Sequence, residues 1–357
     1  MNRSVRRGSA AATGALLGLG AAVSFGLSAP LAKLLLGEVS PVLLAGLLYL
    51  GAAAGLWLAH LVRPRTEEAQ LRRSDLPRLA GIVLAGGVLG PVSMLLGLGR
   101  VSALVGSLCL NLEAPFTVLL AVLVFGEHLG RHATLGVSCI LGGAVLLGLG
   151  SDGAAALADA PGALLIAAAC LCWALDNNLT QQLSVRDPFA IVRIKTLVAG
   201  TTNTILGLSL QQGAAPSGGF VAGALLLGSV SYGLSVVLDT YALRLVGAAR
   251  EAAYFATAPF IGALAALLLF SEPLRRLDAI AMAAMALGVL VLLAERHRHL
   301  HTHETLEHEH LHHHDEHHEH AHDPGTPLGE PHNHRHQHGG LVHDHPHLPD
   351  AHHRHEH

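Results

Sequence analysis

Ten mostly apolar stretches, each about as long as a bilayer crossing, follow one another from residue 11 to residue 294. A membrane-spanning helix needs about 20 consecutive, predominantly apolar residues. Candidates lie near 11–36, 41–62, 79–98, 103–125, 132–150, 162–183, 189–210, 220–243, 248–270 and 277–294. These runs lack the alternation of barrel strands, so helices alone can satisfy their backbone groups away from water. Short links such as Gly37-Glu38-Val39-Ser40 and Ser184-Val185-Arg186-Asp187 force neighbouring helices to run antiparallel. The expectation is an all-α integral membrane protein with ten transmembrane helices. The first run is too long for a signal-peptide core of about 7–15 residues and has a counterpart at 162–183, so it reads as an uncleaved span.

One pattern is written twice. Ala114-Pro115-Phe116 leads through an apolar run to Gly126-Glu127-His128-Leu129, and Ala258-Pro259-Phe260 leads to Ser271-Glu272-Pro273-Leu274. Phe25-Gly26-Leu27-Ser28-Ala29-Pro30 parallels Trp173-Ala174-Leu175-Asp176-Asn177-Asn178, and Pro41 parallels Pro188. The spans therefore group as two five-helix repeats, residues 1–150 and 151–294, followed by a tail, 295–357. Five is odd, so the second repeat enters the membrane from the opposite side. Such inverted halves place a substrate site between them and allow outward-open and inward-open forms.

Charge follows the same division. Charged residues are 13% of the chain, against about 25% in soluble domains. Arg3, Arg6, Arg7, Arg63, Arg65, Arg72, Arg73, Arg131, Arg186, Arg244, Arg296 and Arg298 fall on one side of the predicted topology, and Arg100, Arg275 and Arg276 on the other. The positive-inside rule makes the first side cytoplasmic, so the expectation is a bacterial inner-membrane protein with both termini in the cytoplasm. The net charge of −4 combines an acidic tail with a basic remainder and gives no argument for nucleic acid. Cys109, Cys139, Cys170 and Cys172 all lie in apolar segments and read as small packing residues.

The paired Pro-Phe modules, the aromatic start of each half and ten spans in two halves resemble the EamA branch of the drug/metabolite transporter superfamily. The likeness covers residues 11–294. The stretches Trp173 to Thr180, Asp187-Pro188 to Lys195, and Ala242-Leu243-Arg244 to Ala253-Tyr254-Phe255 are similar to one bacterial subgroup. The resemblance implies secondary transport of small organic solutes, often export, driven by an ion gradient. Members often carry an Arg early in the second span of a half. Here the first half has Leu47-Leu48-Tyr49 in that place and the second has Arg193 and Lys195.

A charge at a helix centre costs about 2.5–3.5 kcal/mol on insertion scales, so deep charges need a partner or a wet cavity. Lys33 and Lys195 are the chain's only lysines, and both fall within spans. Asp176 and Lys195 each lie about seven residues from the same membrane face, roughly 10 Å deep on neighbouring antiparallel helices. We expect them to pair, with Asn177 and Asn178 adding hydrogen bonds, either as a structural lock or as part of a substrate or proton pathway. Arg193, nearer the interface, is expected to snorkel. Glu113, with Asn111 beside it, is the deepest acid and a candidate proton-coupling group. Arg250, Glu251 and Tyr254 face Asp239 and Tyr241 across a short turn, as an inner gate or as interfacial anchors. Glu127 and Glu272 read as caps of the next helix or as anchors, and Pro115 and Pro259 as kinks or points where the backbone ladder loosens.

The tail holds all but three of the 27 histidines. It includes His297-Arg298-His299, His301, His303, His312-His313-His314, His317-His318, His332-Asn333-His334-Arg335-His336-Gln337-His338 and His343-Asp344-His345-Pro346-His347. Imidazoles with interspersed acids suit Zn, Ni, Co or Cu, and a segment with so few apolar residues is expected to be disordered. The remainder requires no cofactor. Expected partners are the lipid bilayer, a small-molecule substrate, divalent metal ions at the tail and, in a homodimer, a second copy of the chain. The leading expectation is an exporter of an amino-acid-like or drug-like metabolite. The alternatives are a divalent-metal exporter and a metal-regulated membrane receptor. No phosphate-binding loop or nucleophile motif points to an enzyme.

Overall fold

The computed structural model describes residues 2–62, 69–125, 130–149, 153–183, 186–211, 215–246 and 248–294, with 300–302, 306–312, 332–338 and 342–344 in the tail. Among these residues, nine helices are long and apolar enough to cross a membrane. They are α1 (Ala12–Leu35), α2 (Pro41–Leu61), α3 (Arg73–Leu98), α4 (Ala103–Val124), α5 (Arg131–Gly148), α6 (Ala160–Gln181), α8 (Gly218–Ala242), α9 (Glu251–Phe270) and α10 (Arg276–Leu293). Between α6 and α8 lies α7 (Pro188–Leu210), as long as the others but less apolar because it carries Arg193, Lys195, Asn203 and four threonines.

Local chemistry sets the helix starts in matching ways. Ser40 Oγ accepts the Leu43 N–H at 3.2 Å ahead of α2, and the Asp187 carboxylate accepts the Phe189 N–H at 2.9 Å ahead of α7. In each case proline follows the capping residue, where its missing N–H costs nothing. Ser102 and Ser217 cap α4 and α8 through the N–H groups of Val105 and Phe220. The C-terminal end of α3 is closed from another helix: Lys33 Nζ donates to Leu98 O at 2.7 Å and to Val101 O. That accounts for the first of the two intramembrane lysines as a cation at a helix C-terminus.

The packing repeats with the sequence. Helix α1 packs on α8 and α9 as α6 packs on α3 and α4, and α2 meets α8 as α7 meets α3. Equivalent helices also pack on each other, α2 on α7 and α5 on α10. Their direction is legible at the glycines. Gly46 faces Thr204, Leu50 faces Gly200 and Leu43 faces Gly207, so rising numbers on α2 meet falling numbers on α7. Gly136 likewise meets Gly288 and Leu292, while Gly143 meets Ala281 and Met285. Helices related by the repeat therefore run antiparallel, as only inverted halves allow. A Cβ at Gly46 or Gly207 would overlap the opposing backbone, the close approach that lets helices associate without a hydrophobic drive.

The irregularities are paired too. Helix α3 widens to a π turn at Val83–Leu89 and α8 does so at Ser229–Leu234. Helix α4 tightens to a 3-10 turn at Leu110–Leu112, and α9 is interrupted between Phe255 and Ala258. Both latter breaks precede the Ala-Pro-Phe element, so the prolines do loosen the ladder there. Leu98, Leu108, Ile140, Ile166 and Met285 belong to a core shared by both halves, together with Cys109 and Cys170. Leu61, Leu123 and Leu268 are 76%, 78% and 75% exposed, an apolar exterior of the kind expected to face lipid.

In the tail the described residues are four short extended segments. They pair Leu306–His312 with His332–His338, and Leu300–Thr302 with Val342–Asp344, both antiparallel. Alternating His-x-His sequence fits the two-residue period of extended backbone.

Candidate functional site

A cavity of about 190 Å³ opens between the two halves. Phe25 of α1, Tyr49 of α2 and Glu113 of α4 reach it from the first half. The second half contributes Trp173, Asp176 and Asn177 of α6, Lys195 of α7, Tyr232 and Asp239 of α8, and Phe255 of α9. The peripheral pair α5 and α10 gives no lining residue.

At one wall, Lys195 Nζ forms an ion pair with Asp176 Oδ2. Thr180 Oγ1 donates to the other carboxylate oxygen at 3.3 Å. The Asp176 side chain is 5% exposed and that of Lys195 18%, so the pair lies at the edge of the cavity rather than in open water. Gly86 packs directly against the Asp176 carboxyl and has no room for a side chain. The π turn of α3 backs this wall. By breaking the regular ladder it presents Gly86 O to two donors, Tyr49 Oη at 2.8 Å and Trp173 Nε1 at 3.1 Å, and Gly87 O to Asn203 Nδ2 at 3.1 Å. Such π turns commonly mark functional sites.

Glu113 stands at the next position around the cavity. Asn177 Nδ2 donates to its Oε1 at 2.7 Å. Across the cavity the wall is aromatic. Phe25 meets Tyr232 edge-on at 5.8 Å and Phe255 at 5.3 Å, and Tyr232 meets Tyr49 at 5.8 Å. Asp239 closes the same side.

The repeat offers an internal control. Aligning the halves on their shared motifs sets Asp176 against Ser28, Asn177 against Ala29, Lys195 against Leu48 and Glu113 against Thr257. The first half thus carries uncharged residues at every equivalent position.

The comparisons with known proteins agree with this architecture. The model of the EamA-like transporter family matches residues 12–149 and again residues 160–294. The chain belongs to the EamA-like transporter family. It is therefore a multi-pass membrane transporter of small molecules. This EamA-like transporter is 32% identical over 279 residues to an uncharacterized transporter of Methanothermobacter thermautotrophicus, covering 74% of this chain and 81% of the relative. It is 33% identical over 181 residues to an uncharacterized protein of Pseudomonas aeruginosa, covering 50% of this chain and 61% of that one. A solved crystal structure superposes with a TM-score of 0.57 at 20% identity, covering 79% of the transporter and 96% of the solved chain. At that identity the match speaks to the fold alone.

Several sequence expectations for the transporter need correction. Asn177 and Asn178 do not support the ion pair. Asn177 serves Glu113, and Asn178 turns away to the carbonyls of Thr117 and Ala174 at 3.2 and 2.8 Å, because consecutive helical residues point about 100° apart. Asn111 likewise leaves Glu113 and donates to Leu108 O at 3.0 Å. The Arg193 guanidinium lies over the Trp57 ring, 5.3 Å from the centroid. Glu272 caps no following helix. Its carboxylate accepts the N–H groups of Ala103 and Leu104, both at 2.8 Å, and so closes the start of α4 from the other half. Glu127 lies outside the described residues. Tyr254 packs on Gly18 of α1 and is not among the cavity-lining residues. The side chain of Arg250 lies outside the described residues, as do those of all the tail histidines named as metal ligands. Among the described residues no cluster of three or more His, Cys, Asp or Glu is placed to hold a metal.

The residues missed from sequence are Tyr49, Trp173, Tyr232, Phe25 and Phe255. Inside apolar spans an aromatic reads as one more lipid or core residue. The available signal was the pairing of Phe25 with Trp173 at equivalent points of the repeat.

Proposed function

We propose that the protein is a secondary transporter that carries a small organic metabolite out of the cell through the cavity between its halves. The observation that carries this reading is the antiparallel packing of equivalent helices, α2 on α7 and α5 on α10, around a cavity lined from both repeats. Inverted halves can exchange conformations, opening the same site first to one side and then to the other. The π turns of α3 and α8 and the breaks in α4 and α9 supply matched points of weakness for that exchange. Glu113 is the coupling group in this reading, a carboxyl that takes a proton from one side and yields it to the other. Both termini are cytoplasmic and the membrane is the bacterial inner membrane.

The tail adds a metal-binding segment that is separate from the conduction path. The backbone register supports this reading by setting His308 opposite His336, His310 opposite His334 and His312 opposite His332. Direct metal passage is less well supported, because no histidine is among the residues lining the cavity. The test is uptake into inverted membrane vesicles with full-length protein and with residues 1–294, using a panel of amino acids and Ni, Co and Zn. Organic flux that survives truncation, loses its proton dependence in Glu113→Gln and is absent in vesicles without the protein is the expected result. Metal flux lost on truncation would replace it with the metal-exporter reading.

A further inference from the structure

Aromatic residues are 4% of the chain but five of the fourteen residues that line the cavity. Their placement is as informative as their number. Phe25, Tyr232 and Phe255 form one continuous surface with centroid spacings of 5.3 and 5.8 Å, and Tyr49 extends it at 5.8 Å. Trp173 faces in from α6. Rings gathered this way around a hollow present π faces and edges to whatever occupies it, and π faces attract positive charge.

The ionisable groups have the matching sign. Lys195 is the cavity's lone cation among the lining residues, and Asp176 takes it up. Glu113 has a neutral donor, Asn177, and no ion-pair partner among the described residues. Asp239 adds a further carboxyl to the lining. Among the described lining residues, Glu113 and Asp239 are two carboxyl groups outside the Asp176–Lys195 pair, and Lys195 is the one cation. An anionic solute would meet repulsion there. A neutral apolar one would leave both carboxyls desolvated without a partner, which is costly.

We infer that the substrate is a compact organic cation, such as an alkylammonium, whose charged end lies between Glu113 and the ring surface of Phe25, Tyr232 and Phe255. This inference rests on the transporter reading and specifies its substrate class. The fixed pair of Asp176 and Lys195 then acts as a neutral wall that positions the neighbouring Trp173 and Asn177 and does not compete for the solute. Ring and carboxylate contribute in different ways. The rings accept any cation of suitable size, and Glu113 favours the one whose charge reaches it.

The test compares three solutes of one shape: choline, its neutral isostere 3,3-dimethylbutan-1-ol and the anion 3,3-dimethylbutanoate. Binding to full-length protein in lipid nanodiscs is read from Trp173 fluorescence in a Trp57→Phe background. The expected result is that choline binds at least about tenfold more tightly than the alcohol, or ~1.4 kcal/mol, and that the anion binds weakest. Glu113→Gln should erase most of the preference for choline over the alcohol, and Tyr232→Leu should weaken choline without helping the anion. Equal binding of choline and the alcohol, tighter binding of the anion or absence of choline binding would each overturn the inference. So would a preference for choline that survives Glu113→Gln. Flux of the amino-acid panel in vesicles, measured separately, shows whether the transporter reading stands when the cation preference fails.

Discussion

Breaking the Asp176–Lys195 pair one side at a time, and then both, tests the internal control that the repeat provides. The first half carries Ser28 and Leu48 where the second carries Asp176 and Lys195. The variants are therefore Asp176→Ser, Lys195→Leu and the double change, which installs the first half's solution in the second. Without Lys195, a carboxylate whose side chain is 5% exposed keeps a single hydroxyl donor at 3.3 Å, Thr180. Removing one partner of a buried pair costs about 3–5 kcal/mol. The adjoining cavity admits water, so the lower end, about 3 kcal/mol, is expected for Lys195→Leu. Lys195 is more exposed at 18%, so Asp176→Ser should cost less, roughly 2 kcal/mol on the same basis. The double variant leaves no orphaned charge and should return to within about 1 kcal/mol of the parent, since replacing a buried pair by apolar residues is often close to neutral. Unfolding in mixed detergent micelles, followed by tryptophan fluorescence, measures all four proteins in one cycle. Additive losses in the double variant, or single variants as stable as the parent, would refute the argument. A double variant that is stable but inactive in transport would assign the pair to the cavity's work rather than to the scaffold.

Three other outcomes follow from the packing. Gly207→Leu drives a side chain into the backbone of α2 at Leu43 and should cost about 1–3 kcal/mol or more, as overpacking does; an unchanged unfolding midpoint would contradict the α2–α7 contact. Ser271 follows α9 with φ at 50°, a conformation that suits glycine, and the first repeat has Gly126 at the matching point, so Ser271→Gly should stabilise by roughly 0.5 kcal/mol in the same assay. Cys109 and Cys170 are 4% and 0% exposed and should resist a membrane-permeant maleimide until the protein is denatured, as read by mass spectrometry of labelled peptides.

Much of the site's depth was legible in the sequence and little of its orientation. Residue counting from the ends of two antiparallel spans was enough to bring Asp176 and Lys195 to the same level. It could not distinguish Asn177, which reaches Glu113, from Asn178, which turns to Thr117, because the rotation of each helix about its axis is set by its neighbours. Nor could counting find the Gly86 carbonyl that holds Tyr49 and Trp173. A backbone group has no letter in the sequence, and it becomes available only where the π turn of α3 opens the ladder.

The chain of letters alone determined ten lipid-length helices, their duplication and, through the odd number in each half, their inverted insertion. Those follow from hydrocarbon thickness and from the need of every backbone group for a partner, both local matters. Tertiary structure decided which faces meet: Glu272 closing the start of α4, Arg193 resting on Trp57, and five rings converging from five helices on one hollow. Each of these joins residues far apart in the chain, and their encounter depends on how helices with similar apolar surfaces rotate and cross.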